Sequence, residues 1–532
     1  MPRIVKNRKW WVIIASSLAL AMIFVDMSAL PIALPSIQAD LHASQSELHW
    51  IINAYLLSLA VLIILGGKLG DKVGHRKIFI SGITVFIFSS ILCAIASSGH
   101  LIIAGRILQG VGGALMMPAA SPLFRSVVAP EEVGKMAGIY VSFASIFLIL
   151  GPTLGGFLTE YLSWHWIFWL NFPLGIVAIV ITLLAVPKDQ PKKTSESFDW
   201  GGFILLTISL ISLVYALMEG TALGWFSPII LICFAIFITT LCAFLKTEKK
   251  QPHPFLDLRL FQNKHFAFSI YILLFMQCVF MATVFWAIFF QDMLGMSAAS
   301  AGILMLASQA PIIFSSHIAG RMFDSYGPRY PTRFGAILIT LSSIWIAVFC
   351  WQSSFWWLLP ALILFGIGSP FINLTNISSV VSAVPAEQRG MASGIGAAVR
   401  QIGGSVGLAV LGALMNEIST LSYQSSLTHI GATDLINIKI DRILANSANY
   451  LPHHPQADSV YQAAKHAYTL AFSSMMAVVT LFSLIVLFLS YKLPNQNLFA
   501  LAEKQKKDQA TSSPKPSLPN MKNMDNSLET NL

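Results

Sequence analysis

The sequence predicts an all-α, polytopic membrane protein of fourteen transmembrane helices, and three observations carry that prediction. Apolar residues make up 55% and charged residues 11% of 532 positions, with a mean hydropathy of +0.70, which argues against soluble domains. The apolar residues gather in runs near 11–35, 50–70, 77–97, 101–121, 136–160, 166–187, 200–219, 228–246, 266–290, 299–320, 332–351, 357–381, 391–416 and 467–491. Each is long enough to cross a hydrocarbon core of roughly 30 Å at about 1.5 Å per residue. The loops between them alternate in charge. With the N-terminus inside, every inner loop carries Lys or Arg and the short outer loops carry neither, the pattern of cytoplasmic and external faces.

The net charge of +9 is therefore topological, and nucleic acid is excluded as a partner. Only the long outer segment 416–465 departs, with Lys439, Arg442 and Lys465, and long loops are where the rule weakens. Arg3, Lys6, Arg8 and Lys9 precede the first run as in a signal peptide, but the run is too long and no clear small-residue cleavage site follows, so it reads as a retained first span. Both termini are expected in the cytoplasm. The tail 493–532, rich in Lys, Ser, Pro and Asn, is expected to be disordered.

Between spans 2 and 3 lies Gly66-Gly67-Lys68-Leu69-Gly70-Asp71-Lys72-Val73-Gly74-His75-Arg76-Lys77. Its Gly67, Asp71, Gly74 and Arg76 recur as Gly320, Asp324, Gly327 and Arg329 between spans 10 and 11. A hairpin repeated at that distance points to two related halves, an architecture common among transporters. Positive-inside charge alone accounts for the Lys and Arg, but not for the spaced Gly and Asp or their second copy. A latch that closes one face in one conformation and opens in another is the favoured reading: Asp71 beside a helix N-terminus, Arg76 on a carboxylate, and glycines letting helix ends approach.

Gly67-x-Leu69-x-Asp71-Lys72-x-Gly74-x-Arg76 resembles the loop signature of the major facilitator superfamily. Further motifs agree, in order. Span 1 has Asp26-Met27-Ser28-Ala29-Leu30-Pro31-Ile32-Ala33-Leu34-Pro35, similar to the first-helix motif of the fourteen-span drug:proton antiporter family, with Pro31 where that family has Asn. Span 4 has Arg106-x-x-Gln109-Gly110-x-Gly112-Gly113, like the superfamily's fourth-helix motif. Span 5 has Gly151-Pro152-Thr153-Leu154-Gly155-Gly156, resembling the antiporter signature, with Phe147 in place of an upstream Gly. The segment Trp164-His165-Trp166-Ile167-Phe168 leading to Asn171-x-Pro173-x-Gly175 is similar to another segment of the same family, with His165 replacing Arg.

The resemblance implies a major facilitator fold: a six-helix half over 1–187, an inserted helix pair over 188–246, a cytoplasmic linker over 247–265, and a second six-helix half over 266–492 that contains the long outer loop 416–465. It also implies a bacterial cytoplasmic or inner membrane, and an adaptor protein as a partner where a second membrane must be crossed.

Residues inside spans carry the functional expectations. A carboxylate in hydrocarbon is costly and marks function by default. Asp26 lies about 21 Å along span 1 from Val12, leaving about 9 Å to the outer boundary, and Arg106 lies about 9 Å below that boundary on span 4. The matched depth permits a buried acid–base pair in which proton or cationic substrate competes for the carboxylate; otherwise Asp26 snorkels outward or caps a Pro31 kink. Gly151 and Gly155 form a small-xxx-small face, with Pro152 bending the helix and Gly156 beside them. Asn373 and Asn376 either line a cavity or bond a neighbouring helix. Arg400, inside span 13, needs an internal partner or water.

Other chemistry is unsupported. Cys93, Cys233, Cys242, Cys278 and Cys350 show no paired or metal-like spacing, and His453-His454 has no third ligand. No metal or cofactor is expected. No Gly-x4-Gly-Lys-Ser/Thr loop supplies nucleotide energy, so an ion gradient remains. The expectation is a proton-driven exporter of hydrophobic or cationic small molecules by alternating access, not an enzyme. A symporter or importer on the same fold, and more remotely a non-transporting sensor, are the alternatives.

Overall fold

In the computed structural model, residues 8–128, 132–189, 198–251, 254–352, 354–385, 388–432, 440 and 456–494 are described. They include 14 helices long and apolar enough to span a membrane. Span 1 (Arg8–Leu41) is apolar on every face and buried on nearly every face, as a helix at the centre of a bundle must be. Span 2 (Gln45–Val73) starts in a capping box, Ser44 accepting from Glu47 N while Glu47 accepts from Ser44 N, which satisfies two otherwise orphaned amides. Gly74 alone turns the chain into span 3 (His75–Ala94), at φ +111°, and Gly327 (φ +72°) does so between spans 10 and 11. Only glycine takes such angles without strain, so the last glycine of each loop copy is the turn residue.

Spans 4 to 6 follow over Gly99–Arg125, Val133–Tyr161 and His165–Ala185, the last broken at Leu170 ahead of Pro173. Spans 7 and 8 are Trp200–Leu223 and Pro228–Glu248. The second set covers Lys264–Asp292, Ala298–Tyr326, Arg329–Phe349, Phe355–Ser382, Arg389–Ile430 and Ala457–Lys492. Span 9 is interrupted at Met281 and span 10 at Ala310, just before Pro311. The two sets pack alike: span 1 rests on spans 5 and 6 as span 9 rests on 13 and 14, and span 4 on 2 and 3 as span 12 on 10 and 11. The chain thus has two six-helix halves and an inserted pair.

Span 7 sits on the seam between the halves. Its Leu210, Val214 and Met218 are buried with Leu57 and Val61 of span 2 and Ala409 of span 13. Span 8 packs mainly on span 7 and leaves most of its apolar surface uncovered, where only lipid can meet it.

The segment 416–465, expected as an outer loop, is helical at both ends. Span 13 runs 42 residues to Ile430 and span 14 begins at Ala457, so span 13 is about 63 Å long, twice the hydrocarbon thickness. Polar residues from Asn416 onward conceal the continuation, but Ser419, Tyr423 and Leu427 recur every four residues and are buried, the signature of one helix face. His453-His454 and the tail beyond 494 lie outside the described residues.

Candidate transport site

The Arg106 guanidinium meets the Asp26 carboxylate, Nη1 donating to Oδ2, and both side chains are almost fully buried. Asp26 Oδ1 accepts from Gln109 Nε2 at 3.1 Å, and Gln109 Oε1 accepts from Arg106 Nη1 at 2.6 Å. Arg106 Nε donates to Ile51 O at 2.9 Å, and the guanidinium lies 4.3 Å from the centre of the Tyr55 ring. Ser90 Oγ accepts from Gln109 Nε2 (2.7 Å) and Asn171 Nδ2 (3.2 Å). Spans 1, 2, 3, 4 and 6 therefore converge on one carboxylate. Ion pairs this deep persist when further hydrogen bonds satisfy them, and removing one partner strands the other at about 3–5 kcal/mol.

A void of about 20 Å³ borders Asp26, Tyr55 and Arg106, with Met281 and Val284 of span 9 closing it. That is room for roughly one water. The lid belongs to the other half, at the break in span 9, so relative motion of the halves would expose the carboxylate. A larger cavity of about 870 Å³ lies elsewhere, in an apolar lipid-facing groove among spans 10, 11 and 12 lined by Leu306, Phe314, Ile318, Phe334, Ile363 and Phe371. It has no ionisable lining.

Hydrogen bonds tie the halves together toward the side opposite the chain termini. Gln291 Nε2 donates to Ile32 O (2.9 Å), Ala299 N to Glu160 Oε2 (2.7 Å) and Thr153 Oγ1 to Gly302 O (3.1 Å). Asn53 of span 2 exchanges bonds with Ser405 of span 13, Ser405 Oγ donating to Asn53 Oδ1 and Asn53 Nδ2 to Ser405 O at 3.1 Å. On the terminal, basic side a Cβ added at Gly390 or Gly394 of span 13 would meet nothing within 4 Å, while Ile64 of span 2 packs against the cluster of Ile270 and Ile395.

The repeated loop lies on that side, and the contacts of its first copy are local. Asp71 is two-thirds exposed, in the last turn of span 2 rather than at a helix N-terminus, and its ion pair is with His75 at 3.3 Å. The carboxylate that caps span 3 is Asp189, accepting from Arg76 N and Lys77 N at 3.1 Å each. Arg76 Nη2 donates to Leu183 O at 2.9 Å, not to a carboxylate. Gly67 and Gly320 are uncrowded: an added Cβ would meet only Pro118 Cβ at 3.7 Å and Leu374 Cδ2 at 3.9 Å. In the second copy Asp324 is exposed and Arg329 Nε is buried without a hydrogen bond.

Span 5 is wedged between the halves as its glycines predict. Gly151 abuts Ser28, Gly155 abuts Ala29 of span 1, and Gly156 abuts Ala298 of span 10; Gly302 approaches the Pro152 carbonyl. Of the two asparagines, Asn376 is buried and donates to Thr332 Oγ1 of span 11 at 3.0 Å and to Ile372 O at 2.8 Å, so it joins helices rather than lining a cavity. Asn373 donates to Ser369 Oγ at 3.4 Å. Arg400 has no hydrogen bond or ion pair among the described residues, and its Nε is buried.

Tyr55, Ser90, Gln109 and Asn171 belong to the site although sequence reasoning did not single them out. Gln109 follows Arg106 by three residues in the span 4 motif and Asn171 stands in the span 6 motif, so both lay within recognisable segments.

The sequence profile of the Major Facilitator Superfamily matches residues 16–408. The tetracenomycin C resistance and export protein of Streptomyces glaucescens is 32% identical over 417 residues, covering 77% of this chain and 76% of that protein. The multidrug resistance protein Stp of Mycobacterium tuberculosis is 30% identical over 457 residues, 83% of this chain and 82% of its own. Among solved structures, a bacterial homolog of the human lysosomal transporter Spinster, inward-facing and unoccupied, aligns with a TM-score of 0.61 at 14% identity, covering 92% of this chain and 98% of that one. A profile matching from span 1 into span 13, over two halves that pack as repeats, makes this chain a member of the Major Facilitator Superfamily, a multi-pass membrane transporter and not an enzyme.

Proposed function

We propose that this protein is a proton-coupled exporter of hydrophobic and cationic small molecules, resident in a bacterial cytoplasmic membrane with both termini in the cytoplasm. The observation that carries the reading is the Asp26–Arg106–Gln109 cluster, one ionisable carboxylate lidded by the opposite half. Protonation of Asp26 cancels the attraction that holds Arg106, so the cluster has two charge states that a rocking motion can favour in turn. The basic loops assign the terminal side to the cytoplasm, and with the opposite side tied the present conformation is then the inward-open one. Export, rather than import, is supported by the glycine-lined span 5 and by relatives named for resistance and export. An adaptor for a second membrane would meet the helical extensions of spans 13 and 14 on the outer side.

Efflux from cells and uptake into inverted vesicles, for wild type beside Asp26→Asn, test this. The expected result is proton-gradient-dependent uptake by wild-type inverted vesicles and its loss in a well-expressed Asp26→Asn. Retained gradient-driven transport in Asp26→Asn removes the coupling role; accumulation only in right-side-out vesicles reverses the direction.

A further inference from the structure

The central region contains one positive charge that the coupling cluster leaves unused. Arg400 lies eleven residues beyond Arg389 on span 13, about 16 Å along the helix and near mid-membrane. Charges within spans are almost always paired, yet Arg400, partly buried and with its Nε fully so, has no ion pair or hydrogen bond among the described residues. The nearest reason for such a residue would be snorkelling to the surface, and its depth forbids that.

Its direction follows from its neighbours. Gly396 faces Val380 and Ile270, with Cβ distances of 3.6 and 4.0 Å, and Gly403 packs on the Leu274 carbonyl. Arg400 lies four residues after the first and three before the second, hence on the same stripe. Gly404, one turn on, faces Gln277 and Leu56. Helical side chains also lean toward the helix N-terminus, which for span 13 is the basic side where Gly394 and Gly390 meet nothing. Arg400 therefore lies on the stripe that span 13 turns toward spans 2, 9 and 12, below the Asn53–Ser405 tie. Beside it Gln401 Oε1 is buried without a partner.

We propose that Arg400 is an anion-recognising residue of the substrate cavity, which admits hydrophobic molecules bearing a carboxylate, phenolate or sulfonate. The proposal rests on the exporter reading and adds a substrate class to it. A planar guanidinium offers paired N–H donors matched to such oxygens. The Asp26–Arg106 pair is internally neutral, which leaves Arg400 as the unpaired charge inside a span among the described residues.

Two dyes with one ring system separate charge from shape: fluorescein, an anion, and rhodamine 123, a cation. Binding to the full chain in zwitterionic-lipid nanodiscs is read by anisotropy for wild type, Arg400→Gln and Arg400→Lys, with thermal unfolding alongside. Wild type is expected to bind fluorescein at least about tenfold more tightly than Arg400→Gln, with Arg400→Lys between and rhodamine 123 binding not weakened. Because Arg400 has no ion pair or hydrogen bond to lose, Arg400→Gln should melt at or above the wild-type temperature. Equal fluorescein binding by wild type and Arg400→Gln overturns the proposal. So does a lower melting temperature with both dyes lost, which would make Arg400 structural. Competition by added phosphatidylglycerol at equal potency in wild type only would reassign the anion to a lipid headgroup and overturn it likewise. Rhodamine 123 efflux from proteoliposomes, followed separately, tests the exporter reading without touching this one.

Discussion

Asp26 and Arg106 respond differently to removal because each leaves a different set of bonds behind. Asp26→Asn strips the counter-charge from Arg106 but leaves it bonded to Ile51 O and Gln109 Oε1, so it should cost less than the ~3–5 kcal/mol of a wholly stranded charge, reach the membrane and lose coupling. Arg106→Gln leaves a carboxylate with one amide donor, and should destabilise by about 3–5 kcal/mol unless Asp26 takes a proton. The double variant should recover most of that stability and none of the coupled transport, a non-additivity read from thermal unfolding of all four proteins. The sequence made this pair legible because helix rise converts position into depth, and two residues at equal depth can meet. It could not deliver Tyr55, Ser90 and Asn171, since rise says nothing about which way a helix is rotated; that is decided by packing among spans 2, 3, 4 and 6. Asn376 was undecidable for the same reason, and packing turned it toward Thr332.

At the scale of elements, close approach and seam covering matter most. Span 5 fits because Gly155 lets Ala29 come near: an added Cβ would lie 2.6 Å from Ala29 O and 2.8 Å from Ala29 Cα. Backbone cannot yield as a side chain does, so Gly155→Val should cost about 1–3 kcal/mol or more and abolish transport, while Gly67→Ala, with only Pro118 at 3.7 Å, should leave stability unchanged. Thermal unfolding of the two variants makes the comparison. The glycine spacing announced the first of these contacts in the sequence.

The inserted pair was legible as two apolar runs, but its docking was not. Glu219, near the end of span 7, accepts from Ser46 Oγ at 2.6 Å and Trp50 Nε1 at 2.7 Å, and Trp225 Nε1 donates to Glu417 of span 13 at 3.3 Å. These bonds fasten the pair to both sides of the seam. Glu219→Ala strands a Trp N–H and should lower stability by about 1–3 kcal/mol, measured as a fall in melting temperature with transport direction unaltered. The extension of span 13 escaped a search for apolar runs because a polar helix beyond the bilayer has the composition of a loop; only its four-residue recurrence betrays it.

Across the whole molecule, the contacts seen are those of one conformation, and the first copy of the repeated loop is instructive because its contacts stay within its own half. The side opposite the chain termini is tied by Glu160, Gln291, Thr153 and the Asn53–Ser405 exchange, whereas Asp71 stands largely in solvent beside His75. If Asp71 and its glycines act as a latch, they act in the other conformation, when the inner ends close. Removing a contact present in one state only shifts the balance by that contact's worth, and about 1–2 kcal/mol moves a population ratio five- to thirtyfold. Asp71→Ala should therefore leave the melting temperature of the inward-open protein within error, yet slow transport by depleting the outward-open state. Glu160→Gln should do the reverse, weakening the outer tie and raising the outward-open fraction. Distances between spin labels on the inner ends of spans 2 and 13 would report both, with Asp71→Ala lengthening the mean separation and Glu160→Gln shortening it. A loop that merely obeys the positive-inside rule would leave those distances unchanged in Asp71→Ala, since the variant removes no Lys or Arg.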